Sequence, residues 1–67
     1  MNSFLIAGFT PIYKKIHFLN EEAEETGSGI LDGSGGLEIF EGGIYGVFLE
    51  QQINLLEKNH IPFEIIG

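Results

Sequence analysis

The sequence predicts an α+β fold: a small antiparallel or mixed sheet of four to five strands, with one helix over about residues 46–58 packed on one face. Three observations carry this expectation. Residues 12–19, IYKKIHFL, and 37–41, LEIFE, alternate with the period of half-buried strands. Between Tyr45 and Leu56 the apolar residues recur instead at helical spacing. A further β-rich run, residues 60–66, follows that helix.

Taken in order, residues 3–9, SFLIAGF, read as a first strand, ended by Thr10-Pro11, where proline removes a donor and holds Thr10 extended. Residues 12–19 pair with it as a hairpin. Ile12, Lys14, Ile16 and Phe18 share one face of that second strand, so Lys14 falls on the apolar side. Asn20 then introduces EEAEET, four glutamates in six residues. Asn20 suits a helix cap, but a helix here has almost no apolar face to bury, so the stretch reads as a solvated loop or one exposed turn. Together with the Gly/Ser-rich residues that follow, it predicts a flexible acidic connector over about residues 20–36.

Residues 37–41 form the next strand, and Gly42-Gly43 turns the chain. Residues 44–48 read either as the second arm of a hairpin or as the first turn of the helix. In the helix, Tyr45, Phe48, Leu49, Gln52, Ile53 and Leu56 take the inner face, with Glu50, Gln51, Asn54 and Glu57 outside. Lys58 suits the negative end of the dipole and Asn59 suits a left-handed cap. Pro62 places the last strand at a sheet edge. All 67 residues belong to a single small domain.

Composition narrows the function classes. Ten acids against three lysines and no arginine leave a formal charge of −7. Phosphate neutralisation needs clustered cations, so direct nucleic-acid binding is excluded. No run approaches the ~18 apolar residues of a membrane span, and the expected setting is soluble and cytoplasmic. Cysteine is absent, which removes disulfides and thiolate metal sites. A domain this short buries only about 60% of its unfolded surface, yet 43% of its residues are hydrophobic, six of them Phe. Self-association or a protein partner is the expected outlet, with Phe4, Phe9, Phe18, Phe48 and Phe63 as contact residues.

Two glycine clusters are candidate sites. Residues 30–41, ILDGSGGLEIFE, resemble the calcium loop of EF-hand proteins, with Asp32, Ser34 and Glu41 at ligand positions and Gly35 at the sharp turn. Ile30 stands where that loop carries its first aspartate, so no metal is assigned and the three residues remain weak candidates. The second cluster, Gly42, Gly43, Ile44, Tyr45 and Gly46, offers backbone amides near a helix start that can hold an anion or another small ligand. No cation lies nearby, and the P-loop and dinucleotide spacings are missing. The string GGIYGVF also resembles a strand edge of gyrase-inhibitor-like and SOUL-type ligand-binding domains.

Catalysis has few ingredients: His17 and His60 are the only histidines, and neither stands in a nucleophile motif. No enzyme activity and no cofactor are expected. The expected function is that of a small acidic inhibitor or regulator, which occludes a basic protein partner as a homo-oligomer. An oligomer that binds and sequesters a small ligand, a nucleotide or other anion, in a pocket near the turn at residues 42–46 is the alternative.

Overall fold

The computed structural model describes residues 11–67, in which β1 (Pro11–Phe18), α1 (Glu21–Leu31), β2 (Leu37–Ile39), β3 (Ile44–Leu49), α2 (Glu50–Lys58) and β4 (Phe63–Ile65) follow one another. The strand expected over residues 3–9, with Phe4 and Phe9, lies outside the described residues. The four strands form one sheet in the order β2-β3-β1-β4, and every neighbouring pair is antiparallel. It follows that β1 and β2 run parallel on either side of β3, while β3 and β4 run parallel on either side of β1. Parallel strands need long crossovers, and each helix supplies one. The result is two interlocked β-α-β units, the split arrangement also called ferredoxin-like. The expected α+β class is observed, with two helices on the sheet where the sequence suggested one.

The additional helix is α1, in the stretch read as a connector. Asn20 caps it, its side-chain oxygen accepting from the Ala23 amide at 2.7 Å, and Glu21, Glu22 and Glu24 occupy the positive end of its dipole. Its buried stripe is Ala23, Gly27 and Leu31, spaced four residues apart. Two of those three are the smallest residues, so hydropathy scarcely registers the stripe. Their smallness is nevertheless what lets the helix lie close: a Cβ on Gly27 would come within 2.4 Å of the Phe18 ring.

The ambiguity over residues 44–48 resolves as a strand, and α2 starts at Glu50 rather than near residue 46. Leu37, Glu38 and Ile39 pair with Val47, Gly46 and Tyr45. Phe40 donates its amide to the Ile44 carbonyl at 2.9 Å, which leaves Glu41-Gly42-Gly43 as the loop. Gly42 and Gly43 have φ of 76° and 77°, a left-handed backbone that L side chains resist. On β1 the register slips between Pro11 and Lys14, and Lys14 then pairs in register with Val47. Lys14 thus falls on the face of Ile16 and Phe18, as its place in the alternation implies, and is exposed there.

At the other end of α2, the left-handed residue is His60 (φ 59°), not Asn59, whose φ is −93°. His60 donates its amide to the Glu57 carbonyl and Ile61 to that of Leu56, each at 3.0 Å. That pair of bonds is a Schellman cap. The core lies between the helices and one sheet face: Ile16 and Phe18, Tyr45 and Val47, Ala23 and Leu31, Ile53 and Leu56. Among the described residues, no helix is long and apolar enough to cross a membrane.

Candidate functional site

Both helices cover the same sheet face, which leaves two different surfaces: the acidic outer side of α1 and the sheet face that no element among the described residues covers.

On the first, Glu21, Glu22, Glu24, Glu25, Ser28 and Tyr45 line one open cleft. Glu21, Glu22 and Glu25 are exposed. Glu24 is half-buried and accepts a 2.9 Å hydrogen bond from the Tyr45 hydroxyl. Tyr45 is itself wedged into the core, its ring edge-on to Phe18 with centroids 5.2 Å apart. No lysine lies opposite these acids: the one acid–base contact of ion-pair length among the described residues is His17 Nδ1 to Glu64 Oε2, 3.3 Å, on β1 and β4.

Burial raises the Tyr45 phenol above its ordinary pKa of 10.0, and its hydrogen bond to Glu24 adds to the shift. The folded state therefore favours the neutral phenol. The stability this contributes is complete below the ordinary tyrosine pKa and is lost as pH rises through the raised folded value. Urea midpoints measured from neutral pH to beyond about pH 10 are expected to fall less steeply for Tyr45→Phe than for the parent chain. Equal alkaline slopes would refute the buried-phenol account.

On the second surface, partners opposite one another in an antiparallel pair share a face. Lys15, Gly46 and Glu38 therefore stand in one row, and His17, Ile44 and Phe40 in the next. Tyr13 packs on Phe48 with centroids 5.3 Å apart and donates its hydroxyl to Glu38 Oε1 at 2.6 Å. The Lys15 ammonium lies 4.9 Å above the Phe40 ring. Tyr13, Phe40, Phe48 and Ile66 remain 44%, 37%, 36% and 48% exposed.

The expected site residues scatter over these surfaces. Phe48 is on the uncovered face, Phe63 is half-buried against the core, and Phe18 is 3% exposed within the core. Phe18 is thus removed from the contact residues, because it sits on the strand face that both helices cover. The cluster 42–46 is divided. Gly42 and Gly43 form the hairpin loop, Tyr45 points to the helices, and Ile44 and Gly46 take the opposite face of β3. The loop is also remote in sequence from the α2 start, where Gln52 Oε1 already accepts from the Phe48 and Leu49 amides at 2.7 and 2.9 Å. The premise of amides free at a helix start is therefore corrected.

The EF-hand-like segment is partitioned as well. Ile30 ends in α1, Asp32 is the residue after that helix, and Leu37 begins β2. Ser34 is committed to structure, donating to the Leu31 carbonyl at 2.6 Å and accepting from Gln52 Nε2 at 3.1 Å. Glu41 belongs to the hairpin loop. His17 lies against Glu64 on β4, while His60 lines a separate cleft with Asn20, Glu22 and Pro62. Among the described residues, no three His, Cys, Asp or Glu side chains are placed to hold a metal ion.

Sequence reasoning missed the Tyr13–Glu38 bridge and the bonding of Gln52. Gln52 carried a signal, a polar residue inside the apolar stripe three positions after the chain enters the helix, where a side chain reaches back to the first amides. The Tyr13–Glu38 pair had none, since 25 residues separate its members.

No protein-family model, no curated protein and no solved structure matches the chain.

Proposed function

We propose that this protein is a non-enzymatic binding protein that occludes or regulates a basic protein partner and works as a homo-oligomer. The observation that carries the reading is the uncompensated acid on α1. Glu21, Glu22 and Glu25 project from one helix face with no cation among the described residues within ion-pair distance, and Tyr45 holds Glu24 beside them. Such a surface attracts cationic partners at long range and selects against anionic ones. The formal charge of −7 extends the same field over the rest of the molecule. Self-association draws on the opposite surface, where large apolar side chains stand uncovered.

The test is affinity capture from the native host with the parent chain and with a Glu21→Gln/Glu22→Gln/Glu25→Gln variant, whose substitutions touch exposed side chains only. A basic protein should be retained by the parent, released by added salt, and held at least about tenfold more weakly by the variant. Circular dichroism of the variant confirms its fold. Retention that is insensitive to both salt and charge removal would discard the reading, as would a captured partner that is acidic.

A further inference from the structure

We propose that the uncovered sheet face is a self-complementary interface, on which a second copy of this chain docks about a twofold axis running along β3. The inference rests on the self-association in the functional reading above and specifies its geometry.

The middle row of that face reads acid, gap, base. Glu38 on β2 and Lys15 on β1 are both register partners of Gly46, which stands between them on β3 without a side chain. Strands are evenly spaced at about 4.8 Å, so the backbone positions that carry acid and base lie equally far to either side of Gly46. A twofold axis along β3 exchanges the two ends of the row. Glu38 of one copy then meets Lys15 of the partner subunit, and the contact occurs twice, as an isologous interface requires.

The neighbouring rows obey the same operation. Ile44 and Phe48 are on β3 itself and meet their own counterparts at the axis. Phe40 and His17 stand to either side of Ile44 and exchange, which places a ring against a ring. Charge pairs therefore flank an apolar seam.

The free chain already holds the charged groups on this surface. Tyr13 ties Glu38 down over Gly46, where an added Cβ would lie 3.0 Å from Glu38 Oε1 and 3.1 Å from the Tyr13 hydroxyl. Lys15 is laid across Phe40. On docking both side chains swing outward from these contacts to reach their partners, an ordering cost that weakens the association.

The area is modest. Four strands span about 14 Å across, and the face falls short of the ~800 Å² per partner of a standard stable interface. The dimer is accordingly weak and concentration-dependent.

Sedimentation equilibrium from about 10 μM to about 1 mM, the range suited to a small interface, supplies the test. The parent chain should dimerise across that range. Lys15→Glu leaves only acids in the middle row and Glu38→Lys only bases, so each single variant should dissociate about tenfold more readily or worse. An equimolar mixture of the two should recover dimers, because each then carries the charge the other lacks. Circular dichroism and melting confirm that the variants fold. Should Glu38→Lys fail to fold on losing its bond to Tyr13, Lys15→Glu and Phe48→Glu carry the test, and both must weaken the dimer.

A parent chain that stays monomeric throughout overturns the proposal and assigns the face to a different occupant. A dimer indifferent to the charge reversals also overturns it, and so does a mixture that fails to re-associate. All of these substitutions lie on the face away from α1. A parent chain that stays monomeric yet still captures a basic partner therefore refutes this interface alone, and a dimer that responds to the charge reversals in a chain that captures no basic partner refutes only the acidic docking surface.

Discussion

Replacement of Gln52 by leucine is expected to unfold the protein at physiological temperature. Gln52 is the one fully buried polar side chain among the described residues, at 0% exposure, and every hydrogen-bonding direction it has is used. Its Oε1 accepts from the amides of Phe48 and Leu49. Its Nε2 donates to the Gly36 carbonyl at 2.6 Å and to Ser34 Oγ at 3.1 Å. One side chain thus joins the β3 exit, the first turn of α2 and the loop leading into β2. Leucine has a similar volume and leaves those backbone groups without this partner.

Each buried group orphaned in this way costs about 1–3 kcal/mol. The combined loss rivals the few kcal/mol that a core of this size supplies, ~3–5 kcal/mol. Ser34→Ala removes one bond of the four and the bond Ser34 donates to the Leu31 carbonyl, and is expected to cost about 2 kcal/mol, less than Gln52→Leu. Thermal melts by circular dichroism of both variants decide the matter. A Gln52→Leu protein that melts within a few degrees of the parent would show that water or a shifted loop satisfies those groups instead.

Gly27→Val is expected to be nearly as damaging, whereas Gly29→Ala, two residues along the same helix, should stabilise. The contrast comes from what each position faces. A Cβ on Gly27 would lie 2.4 and 2.7 Å from the Phe18 ring and 3.2 Å from Ile61. That ring is itself fixed edge-on against Tyr45. Valine at this position must push α1 off the sheet, an overpacking cost of about 3 kcal/mol or more. A Cβ on Gly29 meets nothing within 4 Å. Alanine there gains the helix propensity that glycine lacks, about 0.5–1 kcal/mol. Chemical-denaturation midpoints of the two variants should therefore move in opposite directions. Equal destabilisation would mean that the end of α1 is not helical in solution.

This pair of glycines also shows why α1 escaped a reading by pattern. The hydropathy rule looks for large apolar residues, and α1 buries Ala23, Gly27 and Leu31. Only Leu31 reads as core material, and the glycines around it read as flexibility. The local signals for a helix were nonetheless present, in Asn20 as the cap and the acids after it. What they lacked was a face to bury, and that face exists only because Phe18 offers a flat ring for the helix to approach.

The start of α2 was displaced for a related reason. Tyr45, Phe48 and Leu49 fit a helical stripe, but Tyr45 and Val47 also fit a strand, and short apolar runs satisfy both periods. β3 wins because it is a central strand, paired with β2 on one side and β1 on the other. The candidate site divides in the same way. The acidity of residues 21–25 was plain from the sequence. That Tyr45 lies beside those glutamates, and that Glu38 and Lys15 flank Gly46, depends on registers between segments far apart in the chain.

By itself, then, the sequence determined the α+β class, the inner face of α2 from Gln52 to Leu56, the strand character of β1, β2 and β4, and the strong negative charge. These follow from local propensity and from composition, which need no knowledge of neighbours. Tertiary structure decided that the acidic stretch is a helix, that residues 44–49 are a strand, which Phe side chains are buried, and which charges share a row. The physical reason is that burial and register are relations between segments: Gly27 is helical core only against Phe18, and Glu38 and Lys15 form a pattern only across Gly46.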